Sequence, residues 1–583
     1  ILIKVVLMNH FKLLPIILST LLLGLAGCSN SNMEPAAIAE NVSDATATAA
    51  NPDQALIDRA GAPLFEGMGD HRHGITTSDS GAQRYFDQGL TLAFAFNHAE
   101  SIRSFKAAQR LDPQCAMCFW GEALATGPNI NVTSKGKVIM SEAERVNAFA
   151  ALQSAVALKD KASVAEQNYI EALQARYNGK IELSRDGLDE EYAMAMGELA
   201  AAYPEDMDAA ALYAESVMNT MPWNYWQDNG DPRPETVKVI TALERVLAAA
   251  PKHPLALHLY IHAVEASSAP QRAESAADSL ATLVPGAGHL VHMPAHIYWR
   301  VGRYHDASKA NIEAARVDEV YIAQCNAQGF YPALYYPHNI HFLWAASTME
   351  GRAQLSIDSA IKVAKNVNIE QVKQFPTIEF FRTIPLLSYV RFGKWDEIMA
   401  APEPPAEFSY SQGIRHYARG VALAARGDLA AARAEQAAIE PIKSTVSVIF
   451  LDKRDYPASL LLDIANALLL GEIKLAEQDY AGAAADFKNA VAFQDRLPYT
   501  EPPFWYYPTR QSLGYALLKD GQAAEAEAVY RQDLTDYPRN GWSLFGLSQA
   551  LDAQGKTTEA ATVNGKFETV WQMSDIKLTG SRL

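Results

Sequence analysis

Two pairs of histidines have the spacing that a metal-binding helix face requires. His258 and His262 are four residues apart, as are His292 and His296, and the two pairs are separated by 34 residues. Residues three or four apart on an α-helix lie on one face, so each pair presents two imidazoles in one direction. A neutral imidazole is the most common protein ligand for Zn and also suits Cu, Ni and Fe. The spacing therefore predicts a transition-metal site on neighbouring helices.

The interval of 34 residues recurs as a packing pattern along the chain. Its elements in the first unit are Tyr85, Gly89, Ser101, Phe105, Ala108 and Pro113. Small residues let two helices approach closely, and the aromatic residue fills the gap between units. The pattern occurs, with differing completeness, at residues 82–115, 254–287, 288–321, 464–497, 507–540 and 541–574.

This pattern resembles the tetratricopeptide repeat family, and it implies an all-α, right-handed superhelical solenoid of helix–turn–helix repeats. The resemblance covers most of residues 82–574 and is weaker at 116–250 and 322–460. Residues 81–131 and 288–307 also resemble segments of uncharacterised bacterial secreted lipoproteins with such repeats. That second resemblance implies a shared architecture and no particular activity.

In the repeat family, positions 2, 5, 9, 12 and 13 of the first helix typically line the concave groove that binds ligands. Aligning the units that begin at Pro254, Gly288 and Pro337 places seven histidines and one glutamate at such positions. We expect a histidine cluster in this groove that binds Zn, Cu, Ni or Fe. The candidate ligands are His258, His262, Glu265, His289, His292, His296, His338 and His341.

Three other interpretations of the histidines are open. The groove could hold a peptide or protein partner without metal, gripped by Arg300 and by the aromatic cluster that contains Trp223 and Trp226. The histidines could be packing residues, or their protonation could act as a pH switch. His71 and His73, in a polar segment before the first repeat, are candidates for extra ligands that close over the groove, although a solvated loop is the simpler interpretation.

The first residues predict the compartment. Lys12 precedes an apolar run at 13–23 that is too short to span a bilayer, and residues 25–28 read Leu-Ala-Gly-Cys. This ending resembles the bacterial lipobox, which implies cleavage before Cys28, a lipid on its thiol and, with Ser29 next, the outer membrane. We expect a periplasm-facing or cell-surface lipoprotein in which Cys115 and Cys118, three residues apart, form a disulfide; soft metal ligation by this pair is the alternative.

The charge of the chain excludes one class of partner. Residues 1–27 hold two lysines and no acidic residue, so the mature chain has 48 basic and 67 acidic residues, a formal net charge of −19. Such a surface argues against binding nucleic acid through its phosphates. The predicted organisation is a signal peptide, a flexible tether, N-terminal repeats, central histidine-rich repeats and C-terminal repeats, at 1–27, 28–60, 61–250, 251–350 and 351–583.

No established catalytic motif stands in the sequence. It lacks a Gly-rich phosphate loop and a nucleophile elbow, and the residue after His258 is Leu259, where a zinc protease of the His-Glu-x-x-His type has its general base. A metal ion with a vacant coordination position could still support catalysis. The sequence favours a metal-binding protein or a binding scaffold and leaves a metal-dependent enzyme as a further alternative.

Overall fold

The protein is described here by a computed structural model of residues 53–132, 140–179, 187–227, 229–327 and 329–583. Every regular element in these ranges is helical, which confirms the prediction of an all-α repeat protein. The predicted signal peptide and Cys28 lie outside the described residues. Within the described ranges, no helix is both long and apolar enough to cross a membrane.

The chain forms consecutive antiparallel helices along its whole described length. The N-terminal helices are α1 (Gln54–Ala60), α2 (Ser80–Phe94), α3 (His98–Leu111), α4 (Ala116–Thr126), α5 (Glu142–Ala157), α6 (Val164–Gln174), α7 (Leu188–Ala202), α8 (Met207–Thr220) and α9 (Pro234–Ala249). The central helices are α10 (Pro254–Val264), α11 (Glu274–Leu280), α12 (Gly288–His292), α13 (Pro294–Arg300), α14 (Tyr304–Cys325), α15 (Tyr336–Met349) and α16 (Ala353–Asn366). Helix α1 lies within the last residues of the range predicted to be a flexible tether, 28–60.

The C-terminal repeats continue the same architecture. Their helices are α17 (Ile369–Gln374), α18 (Ile384–Arg391), α19 (Trp395–Ala400), α20 (Ser409–Ala425), α21 (Leu429–Ile442), α22 (Val446–Asp452), α23 (Ala458–Ala476), α24 (Tyr480–Gln494), α25 (Arg510–Lys519), α26 (Ala523–Asp536), α27 (Gly541–Ala553) and α28 (Thr557–Val570). Short 3₁₀ turns at Lys159–Lys161, Pro270–Ala273 and Pro376–Arg382 connect helices, and a π-helical turn at Tyr331–Tyr335 leads into α15.

Glycines set the distance between successive helices of the repeats. A methyl group on Gly89 or Gly121 would lie 2.9 or 2.3 Å from the ring of Phe105, so this buried ring packs against the backbone of two units. Gly514 and Gly546 stand in the same relation to Tyr530. The aromatic residue between units therefore works as the sequence pattern predicted, because its ring fills space that only glycine leaves open.

The first helix of the histidine-rich unit at 288–321 is divided into α12 and α13. Pro294 has no N–H to donate and stands at the first position of α13, so the helical hydrogen bonds restart there. His292 is the last residue of α12 and His296 lies in α13. The two rings still contact each other across this break in the helix.

The first and the last described segments both contact the central repeats. On the N-terminal side, the amide of Gly286 donates to the carbonyl of Gly67 at 2.8 Å. On the C-terminal side, the indole N–H of buried Trp542 donates to the carbonyl of Thr348 at 3.1 Å, and the Asp575 carboxylate accepts from the first amides of α16. These contacts join residues that are about two hundred positions apart, and they enclose the central repeats.

Candidate metal centre

The central histidines are interior residues. His258 and His262 lie on α10, His289 and His292 on α12, and His296 on α13; each has 2% or less of its surface exposed. The sequence predicted an open concave groove here, and the structure corrects that prediction. The N-terminal repeats and a C-terminal loop fold over these helices, so the groove is filled by protein.

Three of the imidazoles converge on one point, which we call site 1. Nε2 of His292 lies 2.8 Å from Nε2 of His296 and 3.1 Å from Nε2 of His338. A metal ion bound at about 2.0–2.1 Å by tetrahedral nitrogen ligands separates them by roughly 3.3 Å. Site 1 therefore needs to open by only a few tenths of an ångström to accept such an ion.

The other ring nitrogens of site 1 are held by oxygen atoms. Nδ1 of His292 lies 2.6 Å from Oδ1 of Asn311, whose amide NH₂ donates to the carbonyl of Ala307, so an acceptor faces the ring. Nδ1 of His296 lies 2.6 Å from Oε2 of Glu265 and also contacts Glu501. A proton on each Nδ1 satisfies these oxygens and leaves the Nε2 lone pairs directed at one another. This is the orientation that outer carboxylates and amides impose on metal-binding histidines.

Three more imidazoles form a second group, site 2. The ligand nitrogens of His258, His262 and His289 all lie within 4.8 Å of one another. Nδ1 of His258 is 2.7 Å from the carbonyl of Phe94, which can only accept, so this nitrogen carries the proton. Nδ1 of His262 is likewise 2.9 Å from Oε1 of Glu265. In both residues Nε2 keeps its lone pair.

Glu265 connects the two sites. Its Oε1 atom faces His262 of site 2, and its Oε2 atom faces His296 of site 1. The carboxyl group is 1% exposed and accepts from Nδ1 atoms, so it positions histidines in both groups. This buried side chain therefore fixes the ring orientation of one histidine in each site.

Burial keeps most of these imidazoles uncharged. It lowers the pKa of His258, His289, His292 and His338 well below the usual value, helped by neighbouring imidazoles, and lowers that of His262 to about 3. A neutral ring is the form that binds a metal ion.

Two groups beside site 1 behave differently. Burial works to lower the pKa of His296, but the carboxyl groups of Glu501 and Glu265 raise it to about 10. Burial and the neighbouring carboxyl group of Glu265 raise the pKa of Glu501 to about 8. The surroundings of His296 thus favour a positive charge at the centre of site 1, whether a proton or a metal ion supplies it.

His71 and His73 lie in a separate group around Asp208. Nδ1 of His73 and Nε2 of His253 are 2.7 and 3.1 Å from the two carboxylate oxygens, and Nε2 of His71 is 3.0 Å from one of them. Nδ1 of His253 accepts from the amide of Ala256, so its Nε2 carries a proton toward Asp208. Asp208 thus joins the N-terminal segment to α8 and to the start of α10. His71 with Asp208 and His253, and His73 with Asp206 and Asp208, are also close enough to hold a metal ion.

Two of the predicted site residues, His341 and Trp226, pack against aromatic or core residues outside the histidine sites. His341 stacks on Trp344 and contacts two phenylalanines, Phe380 and Phe381, and it belongs to neither histidine site. The indole N–H of Trp226 donates to the carbonyl of Ala263, and this side chain packs against the core.

Four other predicted residues lie outside both histidine sites. Trp223 is 48% exposed, with its ring 5.0 Å from that of His262. Arg300 donates to the carbonyl of Ser267 and lies over the ring of Tyr499. Cys115 and Cys118 form a disulfide at the start of α4.

The sequence interpretation missed Glu501, Asn311 and Phe94, which hold the Nδ1 atoms of site histidines. Glu501 is 205 positions from His296, and Phe94 is 164 positions from His258. One signal was present: Glu501 is a single acidic residue directly before the apolar sequence Pro-Pro-Phe-Trp.

The fold and these sites define an all-α helical-repeat protein with a buried cluster of histidines. No protein-family model and no curated protein matches the chain. Among solved structures it is similar to the human IFIT1 dimer with m7Gppp-AAAA, at 12% identity over 85% of this chain and 91% of that chain, with a TM-score of 0.33. It is also similar to yeast Tom70, at 11% identity over 84% and 92% with a TM-score of 0.24, and to the P58(IPK) TPR domain, at 10% over 82% and 99% with a TM-score of 0.20. At these TM-scores, none of the three similarities transfers a ligand or partner to this chain.

Proposed function

We propose that this protein binds a transition-metal ion at site 1, in a repeat scaffold held by a lipid on Cys28 at the periplasmic or outer face of the outer membrane. The observation that supports metal binding is the convergence of three Nε2 atoms from His292, His296 and His338. Two of these nitrogens are lone-pair acceptors, because their rings donate from Nδ1. With both Nδ1 atoms protonated, the Nε2 lone pairs of His292 and His296 face each other at 2.8 Å, and a positive charge between them relieves the repulsion. A single metal ion can supply that charge and bind the Nε2 atom of His338 as well.

Elemental analysis of the mature protein, purified without an affinity tag from cells supplied with several trace metals, tests this function. We expect at least one tightly held equivalent of Zn, Cu, Ni or Fe, and we expect it to be reduced by one in the double variant His292→Ala, His338→Ala. His416→Ala is the matched control, because His416 bonds Glu435 away from both sites. A folded, metal-free protein would refute the proposal.

The lipid anchor is tested separately. We expect Cys28→Ala to move the protein from the membrane fraction to the soluble periplasmic fraction, since a covalent lipid is the proposed attachment. Wild-type protein that is soluble after gentle lysis would contradict this part of the proposal without affecting the metal site.

A second candidate function is a scaffold that binds a peptide or protein without metal. The observation that favours it is the position of Trp223, a half-exposed aromatic residue whose indole N–H donates to Asn131 beside site 2. Aromatic residues of this kind often anchor bound partners. The metal-free protein would then bind a periplasmic partner, and Trp223→Ala would weaken that binding. If the wild type and Trp223→Ala recover all partners equally, Trp223 has no such role.

A further inference from the structure

Site 2 has more unsatisfied nitrogen atoms than packing alone explains. Nε2 of His258, Nε2 of His262 and both ring nitrogens of His289 are buried and have no hydrogen-bond partner. A buried polar atom without a hydrogen-bond partner destabilises the folded state, because it has lost its bonds to water. The three rings are 2% exposed or less, and Phe96 packs against each of them at centroid distances of 4.5 to 6.4 Å. These atoms point to a ligand at site 2.

The two sites are adjacent, and His262, Glu265 and His296 also form a group close enough to hold an ion between them. Each site has its own three histidines, contributed by α10 and α12 in site 2 and by α12, α13 and α15 in site 1. Glu265 contacts one histidine of each site through separate oxygens. Adjacent histidines of α12 belong to different sites, since His289 groups with His258 and His292 groups with His338. An ion bound by the nitrogens of site 1 therefore leaves the unsatisfied nitrogens of site 2 unchanged.

We propose that the protein holds two copper(I) ions, one in each three-histidine site, and this inference rests on the metal-binding function proposed above. The carboxyl groups that contact the histidines are those of Glu265 and Glu501, and together they supply at most two negative charges. Two monovalent ions are balanced by these charges. Two divalent ions would leave two positive charges uncompensated in a buried site, and an unbalanced buried charge is strongly destabilising.

Ligand chemistry is compatible with the same metal. Imidazole suits copper as it suits zinc, iron and nickel, so the charge balance, and not the nitrogen ligands, selects the monovalent ion. Three neutral imidazoles with no carboxylate among the direct ligands add no charge to the ion. Apolar rings cover site 2, with Trp223 5.0 Å from His262 and Tyr335 4.8 Å from His289, and such a cover keeps water from a reduced ion.

Titration of the metal-free mature protein with copper(I) under reducing conditions, against a competing copper(I) chelator, tests the inference. We expect two equivalents for the wild type. We expect one equivalent for the pair His258→Ala, His289→Ala and one for the pair His292→Ala, His338→Ala, while His416→Ala keeps two. The corresponding His→Gln pairs, which leave less empty space, should lose the same equivalents and serve where an Ala pair does not fold.

The outcomes separate this inference from the function on which it rests. One copper equivalent that is lost only with the site 1 pair would overturn the second ion and keep the proposed function. One equivalent lost with either pair would show a single shared ion and overturn the inference. Two equivalents of zinc with no copper(I) retained against the chelator would overturn the choice of metal. A protein that binds no metal ion in any of these titrations would overturn both proposals.

Discussion

Glu265 occupies the position from which one side chain orients histidines in both sites. A glutamine at this position keeps the size of the side chain, but only its oxygen can accept from an Nδ1–H group. The histidine that faces the amide NH₂ would have to reverse its tautomer and lose the Nε2 lone pair that points to the metal. We expect Glu265→Gln to lower metal affinity about 10- to 100-fold, the usual cost of losing such a partner.

Isothermal titration or chelator competition measures this change. Glu244→Gln is the control, because that carboxyl group is 46% exposed and pairs with Arg272 at the surface. Unchanged affinity in Glu265→Gln would show that the ring orientations do not depend on this carboxylate.

Asp533, a buried residue away from the histidine sites, makes the free energy of unfolding depend on pH. Burial raises the pKa of Asp533 to about 6 from 3.8, against hydrogen bonds from Ser543 and Asn540. Between pH 3.8 and 6 the folded protein keeps a proton that the unfolded chain loses, so stability falls as the pH rises. At about 1.4 kcal/mol per unit of pKa, the loss reaches roughly 3 kcal/mol above pH 6.

Asp533→Asn removes this titration. We expect the free energy of unfolding of the variant, relative to wild type, to rise between pH 4 and pH 7, as measured by urea unfolding at each pH. A difference that stays constant over this range would mean that Asp533 ionises normally in the folded protein.

At the scale of the helices, the glycine–aromatic contacts determine how closely successive repeats approach. A methyl group on Gly514 would lie 2.4 Å from the buried ring of Tyr530, whose hydroxyl is bonded to Ser581. We expect Gly514→Ala to destabilise the protein by about 1–3 kcal/mol, because the ring or the helix must move.

Gly565, a helical glycine in α28, is the control position for Gly514. It is exposed, and an added methyl group there meets no atom within 4 Å. Gly565→Ala should stabilise the protein by about 0.5–1 kcal/mol, since alanine loses less backbone freedom in a helix. Thermal unfolding of both variants measures the contrast; equal effects would show that helix spacing is not set by these glycines.

At the scale of the whole molecule, Trp542 joins the C-terminal repeats to α15, the helix that carries His338. Its indole is fully buried, donates to Thr348, and has the Arg391 guanidinium 3.5 Å from its ring centre. We expect Trp542→Ala to cost about 3–5 kcal/mol in stability. The amides of Tyr336–Met349 should also exchange with solvent faster, although they lie about two hundred residues away in the sequence.

Hydrogen exchange read by mass spectrometry distinguishes this effect from a local one. Val446→Ala, at a side chain that is 85% exposed, should leave exchange in α15 unchanged. Faster exchange confined to α27 and α28 in Trp542→Ala would mean that the C-terminal repeats do not support the centre.

The sequence predicted the repeat architecture and most of the histidine groups, because both depend on local spacing. Helical periodicity places His258 with His262 and His292 with His296, and the 34-residue repeat brings the two pairs onto adjacent helices. His341 was a further candidate ligand, and the structure places it outside both histidine sites. It lies three positions after His338, but its ring packs against Trp344 and Phe380 because these aromatic residues are its neighbours in the fold.

The sequence by itself thus determined the helices, their repeat spacing and which histidines neighbour one another, since each of these follows from residues within one or two repeats. The closure of the groove, the two groups of three histidines bridged by Glu265, and the orientation set by Glu501 and the carbonyl of Phe94 appear only in the folded chain. Those features arise where the curvature of the whole array brings its first and last repeats onto the centre. The total curvature is the sum of small rotations between many repeats. It therefore cannot be predicted from the residues of any one repeat.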